Sequence, residues 1–196
     1  MFILERMANM AKLFFYYGCM GSSKTAMALM TNYNYSEVGK KALLVKTDTD
    51  TRFGTYKIHS RAGLDADCFL FSDLEKMSDG EICDYDAVIV DEAQFATKEQ
   101  IDKLSDIVDR LNIPVLCYGL RADFKNELFP GSERLLAIAD KIEEVKTICW
   151  CGHKATCNAR YNENGIVREG AQVELGANDR YVALCRKHFK EGKIRP

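Results

Sequence analysis

Residues 12–33 have the sequence KLFFYYGCMGSSKTAMALMTNY, and this stretch decides the fold. It begins with KLFFYY, an apolar and aromatic run that predicts a buried strand, and it ends with KTAMALMTNY, whose apolar residues recur at helical spacing. Between strand and helix lies the loop Gly18-Cys19-Met20-Gly21-Ser22-Ser23-Lys24-Thr25. A glycine- and serine-rich loop in this position is the context of a Walker A phosphate-binding loop.

The chemistry of such a loop follows from its residue types. Consecutive backbone N–H groups and the N-terminus of the helix surround the phosphates, Lys24 reaches the β and γ oxygens, and Thr25 binds Mg²⁺. The loop departs from the usual pattern at Ser23, where a second glycine is common. A plain turn that caps a helix is the alternative interpretation, and the strand directly before the loop disfavours it.

Further strands are predicted at Lys41–Lys46, Ala87–Val90, Val115–Tyr118 and Lys141–Ile148. A helix is predicted over Thr97–Leu111, where the apolar residues fall on one face. This alternation predicts an α/β fold, a P-loop NTPase (RecA-like) core with a mostly parallel sheet.

The composition changes after residue 148, where Gly, Asn, Arg and Cys become frequent and Tyr161–Gly176 has little apolar content. The latter stretch is predicted to be a long loop or a weak hairpin. We therefore expect a disordered N-terminal lead-in over residues 1–11, a P-loop core over 12–147, and a small C-terminal domain over 148–196.

Charge and hydropathy narrow the function classes. With 27 Lys and Arg against 29 Asp and Glu, the formal net charge is −2, which disfavours non-specific binding to nucleic acid. No apolar run approaches the roughly 20 residues that span a bilayer, and none forms a signal-peptide core. In a chain without an export signal, the eight cysteines are expected to be thiols or metal ligands in a cytoplasmic protein.

The strand at Ala87–Val90 is followed by the acidic pair Asp91 and Glu92. This is a Walker B arrangement, in which Asp91 emerges where Mg²⁺ and its water would bind and Glu92 is available as a base. An ordinary pair of solvent-facing carboxylates is the alternative, and the Walker A loop upstream makes it less favourable.

The C-terminal segment offers six possible metal ligands for the four places of a structural zinc site: Cys149, Cys151, His153, Cys157, Cys185 and His188. The segment has few apolar residues, so a metal would supply folding energy that its core cannot.

The segment DEAQF at Asp91–Phe95 resembles the signature of the cytosolic and bacterial, zinc-containing class of thymidine kinases (type II). Other segments resemble that family in the same order along the chain: Asp50-Thr51-Arg52, Gly119-Leu120-Arg121-Ala122-Asp123-Phe124, the pair Cys149-Trp150-Cys151-Gly152 and Cys185-Arg186-Lys187-His188, and Asn178-Asp179-Arg180-Tyr181. The last of these resembles the end of the family's substrate "lasso" loop. The resemblance extends from Lys12 to Glu191, and five motifs in order are more specific than any one.

The resemblance implies that the γ-phosphate of ATP is transferred to the 5′-hydroxyl of thymidine, and also of deoxyuridine, to give thymidine monophosphate in pyrimidine salvage for DNA synthesis. Glu92 would be the proton acceptor, with Arg52 and Lys24 stabilising charge on the transferred group. Mg²⁺ would be held by Thr25, Asp50 and Asp91. The ATP contacts would be the loop at 18–25 together with Asp91, Glu92, Ala93 and Gln94.

The resemblance also implies the substrate residues Phe95, Phe124, Leu175, Gly176 and Tyr181. It selects Cys149, Cys151, Cys185 and His188 as ligands of one structural zinc per chain, which leaves out His153 and Cys157. It further implies a homotetramer and feedback inhibition by thymidine triphosphate. The departures from the family pattern at Ser23, Gly21 and Ala177 concern local loop geometry.

Two alternatives stay open at this level. One is another P-loop phosphotransferase, which a panel of nucleoside substrates would distinguish. The other is an ATP-dependent nucleic-acid module with a zinc ribbon, which a salt-sensitive gel shift would reveal. The net charge and the short C-terminal segment disfavour the latter.

Overall fold

The computed structural model describes residues 10–49, 54–172 and 181–195. In chain order, the strands are β1 (Leu13–Tyr17), β2 (Ala42–Lys46), β3 (Lys57–His59), β4 (Asp65–Asp67), β5 (Phe69–Leu70), β6 (Ala87–Asp91), β7 (Val115–Gly119), β8 (Lys141–Glu144), β9 (Cys157–Asn162), β10 (Gly165–Ile166) and β11 (Tyr181–Leu184). The helices are α1 (Lys24–Glu37), α2 (Phe71–Leu74), α3 (Asp79–Ile82), α4 (Lys98–Leu111), α5 (Pro130–Ile138) and α6 (Arg186–Glu191), and a 3₁₀ turn covers Ala93–Phe95.

Six parallel strands form the central sheet in the order β5-β2-β6-β7-β1-β8. The phosphate-loop strand β1 and the acidic strand β6 are therefore not neighbours, because β7 lies between them. This arrangement confirms the predicted P-loop core with its parallel sheet. Both strands end at the same edge, which brings the loop after β1 close to Asp91.

The central strands are buried because their sequences are apolar on both faces. All five residues of β6 (AVIVD) are buried, as expected for a strand covered by helices on both sides. Helix α4 covers one face with Ile101, Leu104, Ile107 and Val108. The helix begins with a capping box, in which Thr97 Oγ1 accepts from Gln100 N and Gln100 Oε1 accepts from Thr97 N.

Several predicted elements differ in length from the observed ones. Helix α1 continues to Glu37, one turn beyond the predicted Tyr33. Strand β8 ends at Glu144, so the predicted strand over Lys141–Ile148 is twice as long as the observed strand. After β8 the chain bonds once more to β1, through Val145 N and Tyr17 O at 2.7 Å, and then leaves the sheet toward the C-terminal segment.

A small antiparallel sheet in the order β10-β9-β11 follows the core. Strands β9 and β10 form a hairpin, as one of the two interpretations of Tyr161–Gly176 proposed, although β9 begins earlier, at Cys157. This sheet has its own small apolar cluster, formed by Cys149, Ala155, Cys157, Ala159, Leu184 and Phe189. The division of the chain into two domains near residue 147 stays a prediction. The disordered lead-in was expected over residues 1–11, of which residues 1–9 lie outside the described residues.

Among the described helices, none combines the length and apolar character that crossing a membrane would require.

Candidate active site and metal centre

The loop at 18–23 joins β1 to α1, as the sequence predicts. Gly18 tolerates no side chain, because a Cβ there would lie 2.3 Å from Val145 O and 2.5 Å from Ser22 Oγ. The backbone is left-handed at Gly21, with φ of +74°, and at Ser23, with φ of +64°. The left-handed conformation costs a non-glycine residue roughly 1–2 kcal/mol, so Ser23 is strained where a glycine would not be.

Lys24 lies inside the curl of this loop and is only 9% exposed. Its Nζ donates to Gly18 O and Cys19 O, both at 2.9 Å, and to Ser22 Oγ at 3.2 Å. Burial lowers the pKa of Lys24, and the nearby carboxylates of Glu92 and Asp91 oppose that shift. The loop therefore surrounds a cation at the N-terminus of α1, which is an arrangement suited to anionic phosphates.

Asp91, the last residue of β6, is 4% exposed and accepts a hydrogen bond from the Thr25 side chain. The fold thus brings together two of the predicted magnesium ligands from different elements. Burial, reinforced by the negative charge of Glu92, raises the pKa of Asp91 to about 7, while the Thr25 bond and Lys24 act in the opposite direction. A buried carboxylate with a raised pKa gains from a cation, so the pair suits a hard divalent ion.

Glu92 follows directly, with a left-handed backbone whose φ is +53°. Its Oε2 accepts a hydrogen bond of 2.6 Å from Gln94 Nε2. Gln94 is 0% exposed, and its Oε1 accepts from Leu120 N at 2.9 Å. The carboxylate is therefore linked to the turn that follows β7.

The two aromatic residues expected to flank the substrate have different surroundings. Phe95 is half-buried and meets Phe129 edge to face, with ring centroids 5.6 Å apart. Phe124 is 1% exposed, and the guanidinium of Arg160 lies 3.8 Å from its ring centroid. Phe124 thus has almost no surface open to solvent in this structure.

The four predicted zinc ligands converge at the base of the small sheet. Their ligand atoms, from Cys149, Cys151, Cys185 and His188, all lie within 4.8 Å of one another. A turn closed by Gly152 N and Cys149 O at 2.9 Å presents the first two, with Gly152 at a φ of +83°. Cys185 caps α6 and His188 lies in its first turn. Trp150 stacks on the His188 ring at 4.2 Å between centroids.

The donor set fits zinc in both type and spacing. Zn–S bonds of about 2.3 Å place tetrahedral sulfurs about 3.8 Å apart. The Sγ atoms of Cys151 and Cys185 are 3.9 Å apart, and His188 Nδ1 is 3.5 Å from Sγ of both Cys149 and Cys185. Burial acts to raise the pKa of Cys149, but hydrogen bonds from the backbone of Cys151 and Cys185 prevail and lower it to about 6. A thiol with a lowered pKa is a ready metal ligand.

The two residues predicted not to bind metal lie outside this group of four. His153 Nδ1 is 3.4 Å from Cys151 Sγ, and His153 O accepts from Cys149 N at 2.8 Å. Cys157 lies in β9, buried in the apolar cluster, where its Sγ contacts Thr156 Oγ1 at 3.8 Å.

Comparison with known proteins identifies the family. The sequence profile described as "Thymidine kinase" matches residues 11–189. The chain belongs to the thymidine kinase family. Thymidine kinase of Haemophilus influenzae is 49% identical over 189 residues, which cover 93% of this chain and 97% of that protein. Thymidine kinases of Photobacterium profundum (47% identity, 93% of this chain and 98% of that one) and Escherichia coli O157:H7 (46%, 93% and 92%) are similarly related.

A solved structure of Pif1 helicase from Candida albicans matches 75% of this chain and 38% of that one, with a TM-score of 0.41 and 15% identity. That likeness is too low to carry a conclusion.

For this member of the thymidine kinase family, several expected site residues lie outside the described residues: Asp50, Arg52, Leu175 and Gly176. Tyr181 is described; it begins β11 and is half-buried. The magnesium and phosphate contacts expected of Asp50 and Arg52, and the substrate contacts expected of Leu175 and Gly176, stay predictions.

Three polar residues that the sequence analysis did not single out connect the small sheet with the site. Asn158 on β9 accepts from Met20 N at 2.8 Å and donates to Ala122 O at 2.9 Å. Arg160 donates to Glu169 O and Ala171 O, and Gln172 Nε2 donates to Asp123 Oδ2 at 3.1 Å. None of these belongs to a motif, and Asn158 is 138 residues from its partner Met20. No local pattern could have revealed them.

Proposed function

We propose that this chain phosphorylates thymidine, and also deoxyuridine, at the 5′-hydroxyl with ATP, and so supplies thymidine monophosphate for DNA synthesis by salvage in the cytoplasm. Membership of the thymidine kinase family carries this proposal. The arrangement of Lys24, Asp91 and Glu92 at one edge of the sheet supports it. Phosphoryl transfer needs little beyond positioning of the reactants and neutralisation of charge, which is what this edge offers.

In the proposed mechanism, backbone N–H groups of residues 18–25 hold the phosphates of ATP. Lys24 exchanges its contacts with Gly18 O and Cys19 O for oxygens of the β- and γ-phosphates, and Arg52 adds a second positive charge. Thr25, Asp91 and Asp50 would hold Mg²⁺, and Ala93 and Gln94 would belong to the same nucleotide site. Magnesium supplies neutralisation of the charge that develops on the phosphates.

Glu92 is proposed to accept the proton of the 5′-hydroxyl. A carboxylate within reach of the hydroxyl can accept its proton, and a general base contributes typically ~10²–10⁴-fold. The nucleoside would lie beside Phe95 and Phe124, with backbone groups at Leu175 and Gly176 and the side chain of Tyr181 completing its site.

The zinc proposed at Cys149, Cys151, Cys185 and His188 has a structural role. A site with four protein ligands has no open position for substrate or water. It would join the turn at Cys149–Gly152 to the start of α6, and the strands of the small sheet, β9, β10 and β11, lie between these two points in the chain. Zinc would therefore act on the substrate by holding the base of this small sheet.

The proposed assembly is a homotetramer inhibited by thymidine triphosphate. Helix α1 supports an association, because it exposes Met27 (36%), Met30 (55%) and Tyr33 (59%) along one side. Large apolar residues grouped on one helix face favour burial against another surface. The inhibitor would combine the base contacts of thymidine with phosphates that the loop at 18–25 can bind.

The decisive experiment is a phosphate-transfer assay with zinc-replete protein, ATP and Mg²⁺ against a panel of nucleosides. Thymidine and deoxyuridine should be phosphorylated, whereas cytidine and the purine nucleosides should be much poorer substrates. Omission of Mg²⁺ is the control. Faster phosphorylation of a purine nucleoside than of thymidine would refute the proposal.

A further inference from the structure

Gln94 is a buried polar side chain whose amide nitrogen and amide oxygen both form hydrogen bonds. It is 0% exposed, donates from Nε2 to Glu92 Oε2 at 2.6 Å, and accepts at Oε1 from Leu120 N at 2.9 Å. The two partners come from different parts of the sheet edge, since Glu92 follows β6 and Leu120 follows β7. A bond to a carboxylate is charge-assisted and about twice as strong as one between neutral groups.

The orientation of this amide follows from its partners. The backbone N–H of Leu120 can only donate, so the amide atom that faces it must be the oxygen. The atom that faces Glu92 is then the NH₂ group, which donates to the carboxylate. A flipped amide would place an oxygen against the carboxylate and leave the Leu120 N–H facing another donor, so only one orientation satisfies both bonds.

The packing around Gln94 allows little movement. Gly119 lies against it so closely that a Cβ there would be 2.7 Å from Gln94 Oε1 and 3.0 Å from Gln94 N. The backbone of Glu92 itself is left-handed, with φ of +53°, which is uncommon for a residue with a side chain. A side chain held by packing and by two hydrogen bonds can fix the direction of the group that it contacts.

Two charged groups among the described residues, Lys24 and Asp91, act on Glu92 electrostatically. Lys24 from α1 is within electrostatic range, but its ammonium group donates to the loop at Gly18, Cys19 and Ser22. Asp91 from β6 repels Glu92. Gln94 therefore supplies a directional contact that these two charges do not.

We propose that Gln94 is a positioning residue that holds the Glu92 carboxylate in its reactive orientation and ties it to the turn after β7. The inference rests on the proposed role of Glu92 as proton acceptor. It gives Gln94 a different task from the ATP contact that the family resemblance implies. Because the same turn leads to Phe124, Gln94 links Glu92, the proposed proton acceptor, to the segment expected to hold the nucleoside.

The test is a double-mutant cycle on turnover. Gln94→Met keeps the volume of the side chain but removes both hydrogen bonds. The variant should lower kcat about tenfold or more, since small misplacement of a reacting group is costly, while the KM for thymidine changes less than twofold. In a Glu92→Gln background, Gln94→Met should cause no further loss of kcat, because the group that it positions is no longer a base.

Gln100→Met is the matched control. Gln100 also accepts from a backbone N–H, that of Thr97 at 3.0 Å, and donates to a carboxylate, Glu75 Oε1 at 3.1 Å, but it lies in the first turn of α4. The Gln100→Met variant should have a lower free energy of unfolding than wild type and an unchanged kcat. If Gln94→Met does not fold, Gln94→Glu decides, because it keeps the acceptor for Leu120 N and places an oxygen against Glu92; its kcat should also fall tenfold or more.

Two results would overturn the inference: a kcat within twofold of wild type for the folded Gln94 variants, or an equal loss of kcat in the wild-type and Glu92→Gln backgrounds. The role of Glu92 is judged separately by the single variant Glu92→Gln. It should lose at least ~100-fold in turnover and keep its ATP affinity. Retention of more than a third of wild-type turnover by that variant would instead exclude Glu92 as the base.

Discussion

At the scale of single residues, the nucleotide site contains groups held in states that cost free energy. Ser23 and Glu92 both have left-handed backbones, and the Asp91 carboxyl group is buried. Such states persist only when the surrounding structure enforces them, and they concentrate at functional sites. Here the enforcing elements are the loop after β1 and the end of β6.

Ser23→Gly should relieve the strain in the phosphate loop. Glycine accepts a φ of +64° without the roughly 1–2 kcal/mol cost of a side chain, but it also raises the entropy of the unfolded chain, which offsets about 0.4–1 kcal/mol. The free energy of unfolding should therefore rise by about 0.5 kcal/mol, with ATP affinity within twofold of wild type. Urea unfolding measures the change. Ser23→Val, with a branched side chain, should be less stable than wild type, and the opposite ranking would contradict the strain.

Asp91→Asn should stabilise the protein in the absence of added Mg²⁺, and more at pH 8 than at pH 5. Burial raises the pKa of Asp91 from an ordinary 3.8 to about 7, so the folded state binds more protons than the unfolded state between these values. The free energy of unfolding therefore falls as pH rises from about 4 to 7 and then levels off. Removing the Asp91 carboxylate should abolish this decrease in the free energy of unfolding.

The stabilisation by Asp91→Asn, measured by urea unfolding, should be larger at pH 8 than at pH 5 by at least about 1 kcal/mol, since one pKa unit corresponds to about 1.4 kcal/mol. Exposed Asp67→Asn is the control and should show no such difference. Equal gains for Asp91→Asn at pH 5 and pH 8 would contradict a raised pKa. The variant should also be nearly inactive, because the same carboxylate is proposed to hold magnesium.

At the scale of elements, the small sheet has little apolar burial of its own, and the proposed zinc would supply part of its stability. Its apolar cluster has six buried residues, and two of them, Cys149 and Cys157, are cysteines. The C-terminal segment nevertheless reaches the active site through Asn158, which bonds to Met20 N, through Arg160, which lies over the Phe124 ring, and through Gln172, which bonds to Asp123. Loss of the metal should therefore affect ligand binding at a distance.

Cys185→Ser should lose zinc, lower the thermal midpoint, and weaken thymidine binding more than ATP binding. Cys157→Ser and His153→Ala are the matched controls, since one is a buried thiol of the same sheet and the other a neighbour of the Cys151 thiol. Both should retain one zinc per chain. Elemental analysis measures the zinc and titration calorimetry the ligand binding; zinc kept in Cys185→Ser but lost in Cys157→Ser would mean that the third thiol ligand was wrongly chosen.

At the scale of the whole molecule, the apolar side of α1 and the open edge of the sheet are the features that a monomer would leave exposed. The edge strand β8 carries Ile142 at 41% exposure. A tetramer with D2 symmetry, the common arrangement for homotetramers, needs more than one kind of interface, so two separate surfaces are consistent with the proposed assembly.

Met30→Glu should convert the tetramer to dimers, because a charge on the α1 face removes one interface and leaves the other. Light scattering after gel filtration measures the mass. Leu64→Glu, at another exposed apolar residue (41%), is the control and should stay tetrameric. A wild-type mass of one chain, or an unchanged mass for Met30→Glu, would contradict an interface on α1.

The features that depend on neighbouring residues could be predicted from the sequence. The phosphate loop and the acidic strand end are local, because their chemistry needs only a few residues at short spacing. The strand–helix alternation likewise determined the parallel core. The boundary of β8 was predicted less well, since Val145 still bonds to β1 although the chain is leaving the sheet.

The contacts of distant groups depend on the packed fold. It brings Thr25 to Asp91 and the four metal ligands that the family resemblance implies to one another, and it places Gln94 between Glu92 and Leu120, which no sequence pattern predicted. A polar side chain can satisfy its hydrogen bonds in many ways, and its partner is fixed only when packed elements bring one donor or acceptor within reach. The spacing of residues along the sequence therefore does not predict which partner a polar side chain will have.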